Sequence, residues 1–294
     1  MPSLKEVKTR IASVNSTRKI TSAMKMVASA KLHKAQQAIG SMLPYEKGLN
    51  RIMASFLSGA TGDISSPYST KREVKQAAVV IFTSNSSLCG GFNSNAIKSA
   101  IQSIKEYEDK GVSVPYVYVF GKKAEESIKK VLGPATEMRN KSNLLDHPRY
   151  ASVMNVAEEL MGLYVQEDID EVKLIYHHFK NTASQLLIEE KFLPIDVTRD
   201  ADGAKETEVS RLNYIFEPSI EDLFSELVPK SLHLKLYAAM LDSLASEHAA
   251  RVVAMQVATD NADELLRDLT LTYNKTRQQA ITTELLDIVG GSMQ

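Results

Sequence analysis

From Lys230 to Val289 the chain runs sixty residues without a Gly or a Pro. Those two residues are the usual interruptions of a helix, so the run predicts one helix about 90 Å long at 1.5 Å per residue. Apolar side chains recur at Tyr237, Met240, Leu241, Leu244, Val252, Val253 and Met255, with His248 among them, and again at Leu265, Leu266, Leu269 and Tyr273. The three-and-four spacing is that of one helix face. Gly290 and Gly291 are expected to end the helix, because Gly accepts the left-handed conformation found at helix C-termini. A helix several times the globular mean length does not fit inside one compact domain.

The opposite end of the chain has the same character. Ser3 and Glu6 have the spacing of a capping box, in which two side chains satisfy each other's orphan N–H groups, so a helix is expected from residue 3. No Gly or Pro follows until Gly40, and Leu4, Val7, Ile11 and Val14 fall at heptad a/d spacing. That register puts Arg18, Thr21 and Lys25 on the seam. The apolar face is expected to pass there to Ile20, Met24 and Val27, before Ala28, Leu32, Ala35, Ile39 and Met42 rejoin the first register. A drift of this kind accompanies a local unwinding of a supercoil or a change of partner. Gly40 and Pro44 predict a kink, and Ser58-Gly59 an end.

Helical stability comes mainly from packing, so two helices with one apolar face each are expected to pair as an antiparallel coiled coil. Residues 1–45 carry eight Lys and Arg against Glu6 alone, whereas Lys230 to Val289 has six basic and eight acidic residues. Exposed ion pairs contribute only about 0 to 1 kcal/mol each. Charge therefore biases the pairing rather than creating it.

Between the helices the period changes. Ala77 to Thr83 is a continuous, largely β-branched run of the kind found in buried strands. Helices are expected over 95–107, 122–131 and 150–164, strands over 114–120 and 171–179, and a hairpin partner over 184–193. Alternating strands and helices imply a parallel sheet. Gly59 to Thr70 reads as a loop, Thr198 to Thr207 as a polar excursion, and a short helix capped by Ser219 and Asp222 is expected before Pro229 resets the chain. The fold class is thus α/β: a long antiparallel α-helical coiled coil formed by the N- and C-terminal helices, with an inserted Rossmann-like α/β domain. The expected division is 1–58 for the N-terminal helix, 70–212 for the α/β domain and 213–294 for the C-terminal segment.

The candidate chemistry is sparse. Ser84 to Asn93 links a strand to a helix, where phosphates commonly bind, yet it matches neither the dinucleotide fingerprint nor the P-loop. Cys89, the single cysteine, excludes an internal disulfide and lacks an identifiable base to activate it. His177 and His178 are adjacent in a strand and so point to opposite faces, which disfavours a shared metal. His248 reads as a seam residue and His33 as a solvated one. The basic N-terminal helix lacks the pattern that accompanies base reading, and the net charge of −1 is close to neutral. No cofactor, nucleic acid or small-molecule substrate is expected. No apolar run reaches the roughly 18 residues of a membrane span, and the opening residues resemble no signal or transit peptide. A soluble chain, associated with a membrane only through partners, is the expectation.

Two features call for a partner. Ala280, Ile281, Leu285, Leu286, Ile288 and Val289 are apolar on more than one face, and a helix apolar all round is normally enclosed. Residues 19–31 mix small, apolar and basic side chains, which suits close approach by an acidic protein surface.

These segments also carry a family likeness. Thr17 to Ala28, Ala245 to Met255, Ala258 to Ala262, Leu269 to Gln278, Ile281 to Leu285 and Val289 to Gly291 resemble the gamma subunits of F-type ATP synthases, as does Leu88 to Asn93 in the middle of the chain. The resemblance implies a non-catalytic central rotor shaft passing up the axis of the alpha/beta catalytic hexamer, with the α/β domain as a foot beside the epsilon subunit on the membrane c-ring. It implies that rotation couples proton or sodium flow to ATP synthesis or hydrolysis. By residue-wise likeness, Met24 and Lys25 would face an acidic lever loop of a catalytic subunit, and Arg277 and Gln278 a catch loop, where Arg can make bidentate charge-assisted hydrogen bonds. Tyr214, Phe216 and Glu217 match the family's foot segment near the ring and epsilon. Chloroplast members carry an inserted cysteine pair; with Cys89 alone, no thiol switch is expected. A bacterial origin and a place on the cytoplasmic side of the cell inner membrane are expected. The alternatives are a nucleotide-binding α/β enzyme with coiled-coil arms and a nucleic-acid adaptor.

Overall fold

The computed structural model describes residues 3–59, 66–70, 72–195 and 220–292. Tertiary contacts divide the chain into two compact units, Lys31–Ala250 and Met1–Ala30 with Arg251–Gln294. Helix α1 (Leu4–Gly59) and the C-terminal helix α5 (Ile220–Ser292) contribute to both. The N-terminus of α1 is closed by the expected capping box: the Ser3 N–H donates to Glu6 Oε2 at 2.9 Å and the Glu6 N–H to Ser3 Oγ at 3.3 Å.

The unit of residues 31–250 is built on a five-stranded sheet of order β3-β2-β1-β4-β5. Its strands are β1 (Gln76–Phe82), β2 (Ser113–Phe120), β3 (Glu137–Asn140), β4 (Glu171–Asn181) and β5 (Ser184–Leu193). β1 lies parallel to both β2 and β4, β2 lies parallel to β3, and β5 is the antiparallel hairpin partner of β4. The two faces of β1 enter two separate cores, as the side-chain period of two requires. Ala78, Val80 and Phe82 pack with helix α4 (Tyr150–Val165) and with Leu232, Leu236 and Met240 of α5. Ala77, Val79 and Ile81 pack under helices α2 (Phe92–Asp109) and α3 (Lys122–Ile128). Burial on both faces explains the uninterrupted apolar run. At the turn into α3, Gly121 has φ +122°, and a Cβ there would lie 2.4 Å from the Thr83 carbonyl oxygen, so only glycine fits.

Several boundaries differ from the expectation. Pro44 sits inside α1 and Pro229 inside α5, with no break recorded at either. Core packing overrides the local signal: Leu49 is buried beyond Pro44, and Val228 and Leu232 flank Pro229 with 1% exposure each. The carbonyl that the Pro44 ring would crowd belongs to Gly40. α5 also continues through Gly290 and Gly291 to Ser292. Strand β3 and a 3-10 helix at Ser142–Leu145 were not anticipated, because four-residue elements carry too little periodicity. Asp222 lies inside α5, whereas Ser219 and the 198–207 excursion fall outside the described residues.

His177 and His178 do point to opposite faces. His177 is buried and stacks on Phe92 with ring centroids 4.4 Å apart. Burial pushes its imidazole down from 6.5 to about 4. Between those two values the unfolded chain binds a proton that the folded chain does not, so stability falls as the pH drops through this window. Urea unfolding followed by far-UV circular dichroism at pH 7 and pH 4.5 is expected to show that His177→Phe removes about 2 to 3 kcal/mol of the acid-induced loss. An identical loss in the variant would contradict the assignment.

Candidate partner-binding surface

In the second unit, residues 4–30 of α1 and 251–292 of α5 form an antiparallel pair. The direction and register are fixed by three contacts that step along one helix as they step back along the other. Arg18 Nη1 donates to Asp263 Oδ1 at 2.9 Å, the hydroxyls of Thr21 and Thr259 meet at 2.9 Å, and Lys25 Nζ donates to Gln256 Oε1 at 2.7 Å. On α1 the covered or half-covered positions include Leu4, Val7, Ile11, Val14, Arg18, Thr21, Lys25 and Ala28, with Asn15 and Met24 half-covered at the edge. The first eight form an unbroken a/d series.

The expected drift of the stripe therefore does not occur. Ile20 and Val27 are 60% and 57% exposed, Met26 is exposed beside them, and Met24 is half-buried. What changes between residues 18 and 25 is the chemistry of the seam rather than its position. Polar side chains occupy core positions there because each finds a partner across the pair, which offsets the cost of removing it from water. Gln256, Thr259 and Asp263 were not singled out from sequence. Following the α1 register through its polar members would have indicated that α5 must offer matching polar groups.

Toward the C-terminus, Met255, Ala262, Leu266, Leu269, Tyr273 and Thr276 continue the covered or half-covered face of α5. Extending the antiparallel register from Arg18 opposite Asp263 places Leu4 level with Arg277. Beyond that point α1 supplies no partner, and every α5 residue from Arg277 to Val289 is exposed. Leu285, Leu286 and Ile288 are 58%, 66% and 66% exposed. An apolar patch of this extent is characteristic of an interaction surface, since enclosing a Leu or Ile side chain contributes about 1.5 to 3 kcal/mol.

The predicted contact residues separate into three situations. Lys25 is engaged by Gln256 within the seam, and Met24 lies at its edge. Arg277 and Gln278 stand exposed where the pair ends and the single helix begins. Tyr214, Phe216 and Glu217 lie outside the described residues.

The Ser84–Asn93 turn spends polar groups on itself and on the neighbouring Ser142–Asp146 segment. The Ser84 N–H donates to Asn93 Oδ1 at 2.9 Å, Asn93 Nδ2 donates to Ser84 Oγ at 2.8 Å, and Asn85 Nδ2 donates to the Ser142 carbonyl and to Asp146 Oδ1, both at 3.1 Å. These bonds lock the strand-to-helix turn. Among the described residues no helix is long and apolar enough to cross a membrane.

The seam makes a direct prediction. Replacing Lys25 and Gln256 together by Leu is expected to raise the thermal midpoint of the full chain, because two apolar groups at facing core positions gain burial without an unmet hydrogen bond. Gln256→Leu alone is expected to destabilise by about 1 kcal/mol. Differential scanning calorimetry of the single and double variants checks both signs; a double variant less stable than the single one would contradict the shared-seam geometry.

A family model described as ATP synthase matches residues 3–293. The chain is 55% identical over 294 residues to the ATP synthase gamma chain of Phocaeicola vulgatus, with 100% of each covered. It is 55% identical over 301 residues to that of Bacteroides thetaiotaomicron, again with 100% of each covered, and 44% identical over 293 residues to that of Flavobacterium johnsoniae, covering 99% of this chain and 98% of the other. A chain of the Euglena gracilis mitochondrial ATP synthase, OSCP/F1/c-ring in rotational state 3, superposes with a TM-score of 0.65 at 20% identity, over 99% of this chain and 93% of that one. A chain of the Tetrahymena thermophila mitochondrial ATP synthase central stalk and c-ring gives a TM-score of 0.57 at 20% identity, over 81% of this chain and 99% of that one. At that identity the likeness is one of fold.

Proposed function

This chain belongs to the ATP synthase gamma-chain family, and on that premise we propose that it works as the rotating shaft of an F-type synthase, coupling proton or sodium flow to ATP synthesis or hydrolysis. As a gamma subunit, the central stalk, it is a non-catalytic component. The proposed partners are the alpha/beta catalytic hexamer around the end of the helical pair, and the epsilon subunit and membrane c-ring at the α/β domain. The single observation that carries the reading is the apolar end of α5. It extends past the reach of α1 with Leu285, Leu286 and Ile288 exposed, which suits a surrounding protein sleeve.

Within such a sleeve an asymmetric shaft presents different side chains to each catalytic subunit as it turns. Each subunit then shifts among its states by the difference in contact free energy. Arg277 and Gln278 are well placed for this role, exposed at the step from two helices to one, and a sleeve would keep the charge interactions of Arg277 within the roughly 8 Å screening length of physiological salt. We assign the lever contact to Met24 and Lys25, with Lys25 already oriented by Gln256, and the foot contacts to Tyr214, Phe216 and Glu217. On this reading residues 1–58 and 213–294 form the shaft and 70–212 the foot. The complex is placed on the cytoplasmic side of a bacterial inner membrane, with this chain held there peripherally.

Arg277→Ala with Gln278→Ala tests the assignment in a reconstituted synthase. Proton-driven ATP synthesis is expected to fall by about tenfold, the equivalent of one lost charge-assisted contact, while the thermal midpoint of the isolated chain stays unchanged. Unaltered synthesis would remove these two residues from the coupling contact.

A further inference from the structure

Within the unit of residues 31–250, a cavity of about 770 Å³ opens between α1, the β4–β5 hairpin and α5. Its size falls in the range of small-molecule sites. One wall is apolar, formed by Ile39, Met42 and Leu43 of α1, Ile188 of β5 and Leu234 of α5. The polar lining carries three carboxylates, Glu46, Glu190 and Asp242, together with His178 and Lys235.

Two of these carboxylates already have cationic or donor partners. Glu190 Oε1 lies 2.8 Å from Lys235 Nζ, and its Oε2 accepts from the Tyr176 hydroxyl at 3.0 Å. Asp242 Oδ2 sits 2.7 Å from His178 Nδ1. Glu46 is different. Among the described residues no hydrogen bond or ion pair reaches it, and the cation that acts on it is its sequence neighbour Lys47. Burial pushes its carboxyl up, and the charges of Asp242 and Glu190 push it further. A partly buried carboxylate facing two others is costly unless a cation joins it.

We propose that this cavity binds a small amphipathic organic cation, an ammonium or guanidinium on a hydrocarbon body. The head group sits between Glu46 and Asp242, and the hydrocarbon lies along Ile39, Leu43 and Leu234. A bare metal ion would leave the apolar wall uncovered, and an organic anion would meet Glu46 with no cation to spare, because Lys235 and His178 are held by Glu190 and Asp242. The site lies wholly within the unit of residues 31–250 and stands whether or not the rotor reading does.

Isothermal titration of the full chain at pH 7.5 with hexylammonium chloride, sodium hexanoate and ammonium chloride tests it. Hexylammonium is expected to bind saturably at one site with a Kd on the order of 1 mM, as suits so few atoms, whereas hexanoate and ammonium give no saturable heat. Glu46→Gln removes the unpaired acid with little change of shape and is expected to weaken hexylammonium at least tenfold. Leu43→Ser, on the exposed side of the apolar wall, is expected to weaken it less. Absence of saturable hexylammonium binding, equal binding of hexanoate, or an unchanged Kd in Glu46→Gln would each overturn the proposal.

Discussion

A helix with one apolar face can be covered only as far as a second helix reaches, and the rest of this molecule follows from where that cover stops. α1 begins at Leu4, level with Arg277 in the register of the pair. Between Met255 and Thr276 α5 alternates covered and exposed positions in threes and fours. Past that stretch, apolar residues continue without a partner from the same chain. Among the described residues nothing covers Leu285, Leu286 and Ile288, which leaves them open to an enclosing protein.

The register that sets this limit is itself specified by polar contacts. Arg18–Asp263, Thr21–Thr259 and Lys25–Gln256 occupy three successive layers where Leu or Val would contribute more burial. Isolated pairs of this exposure contribute less than about 1 kcal/mol each, yet a slide of either helix by one turn would leave all of them unmatched. A polar layer of this kind trades stability for uniqueness of alignment, as single polar a-position residues do in coiled coils. For a shaft, alignment is the property that matters, because a slipped register would move every exposed contact residue along the axis.

Much of this was legible in the residues. The absence of Gly and Pro from 230 to 289 announced the long helix, the Val7-Ile11-Val14 spacing announced the seam, and the run from Ala77 to Thr83 announced a strand covered on both faces. The apolar end of α5 was also visible, since an apolar pattern on several faces needs no structure to be noticed. The errors share one cause: a local signal was given more weight than packing. Pro44 and Pro229 lie next to residues anchored in the sheet core, which hold the helix through them. Ile20 and Val27 fit the seam on hydrophobicity alone, whereas Arg18 and Lys25 are there because α5 supplies their partners 245 and 231 residues away. The cavity beside Glu46 could not be read at all, because its walls come from four elements spread over residues 36 to 242.

The alignment of the two long helices is the claim on which all else rests, and it can be measured chemically. In a Cys89→Ala background, Thr21→Cys with Thr259→Cys places two thiols where hydroxyls now meet at 2.9 Å, within the reach a disulfide requires. Mild oxidation is expected to cross-link this pair nearly completely without loss of helical content. Failure to cross-link, or an equal yield from Thr21→Cys with Asp263→Cys one turn away, would contradict the account.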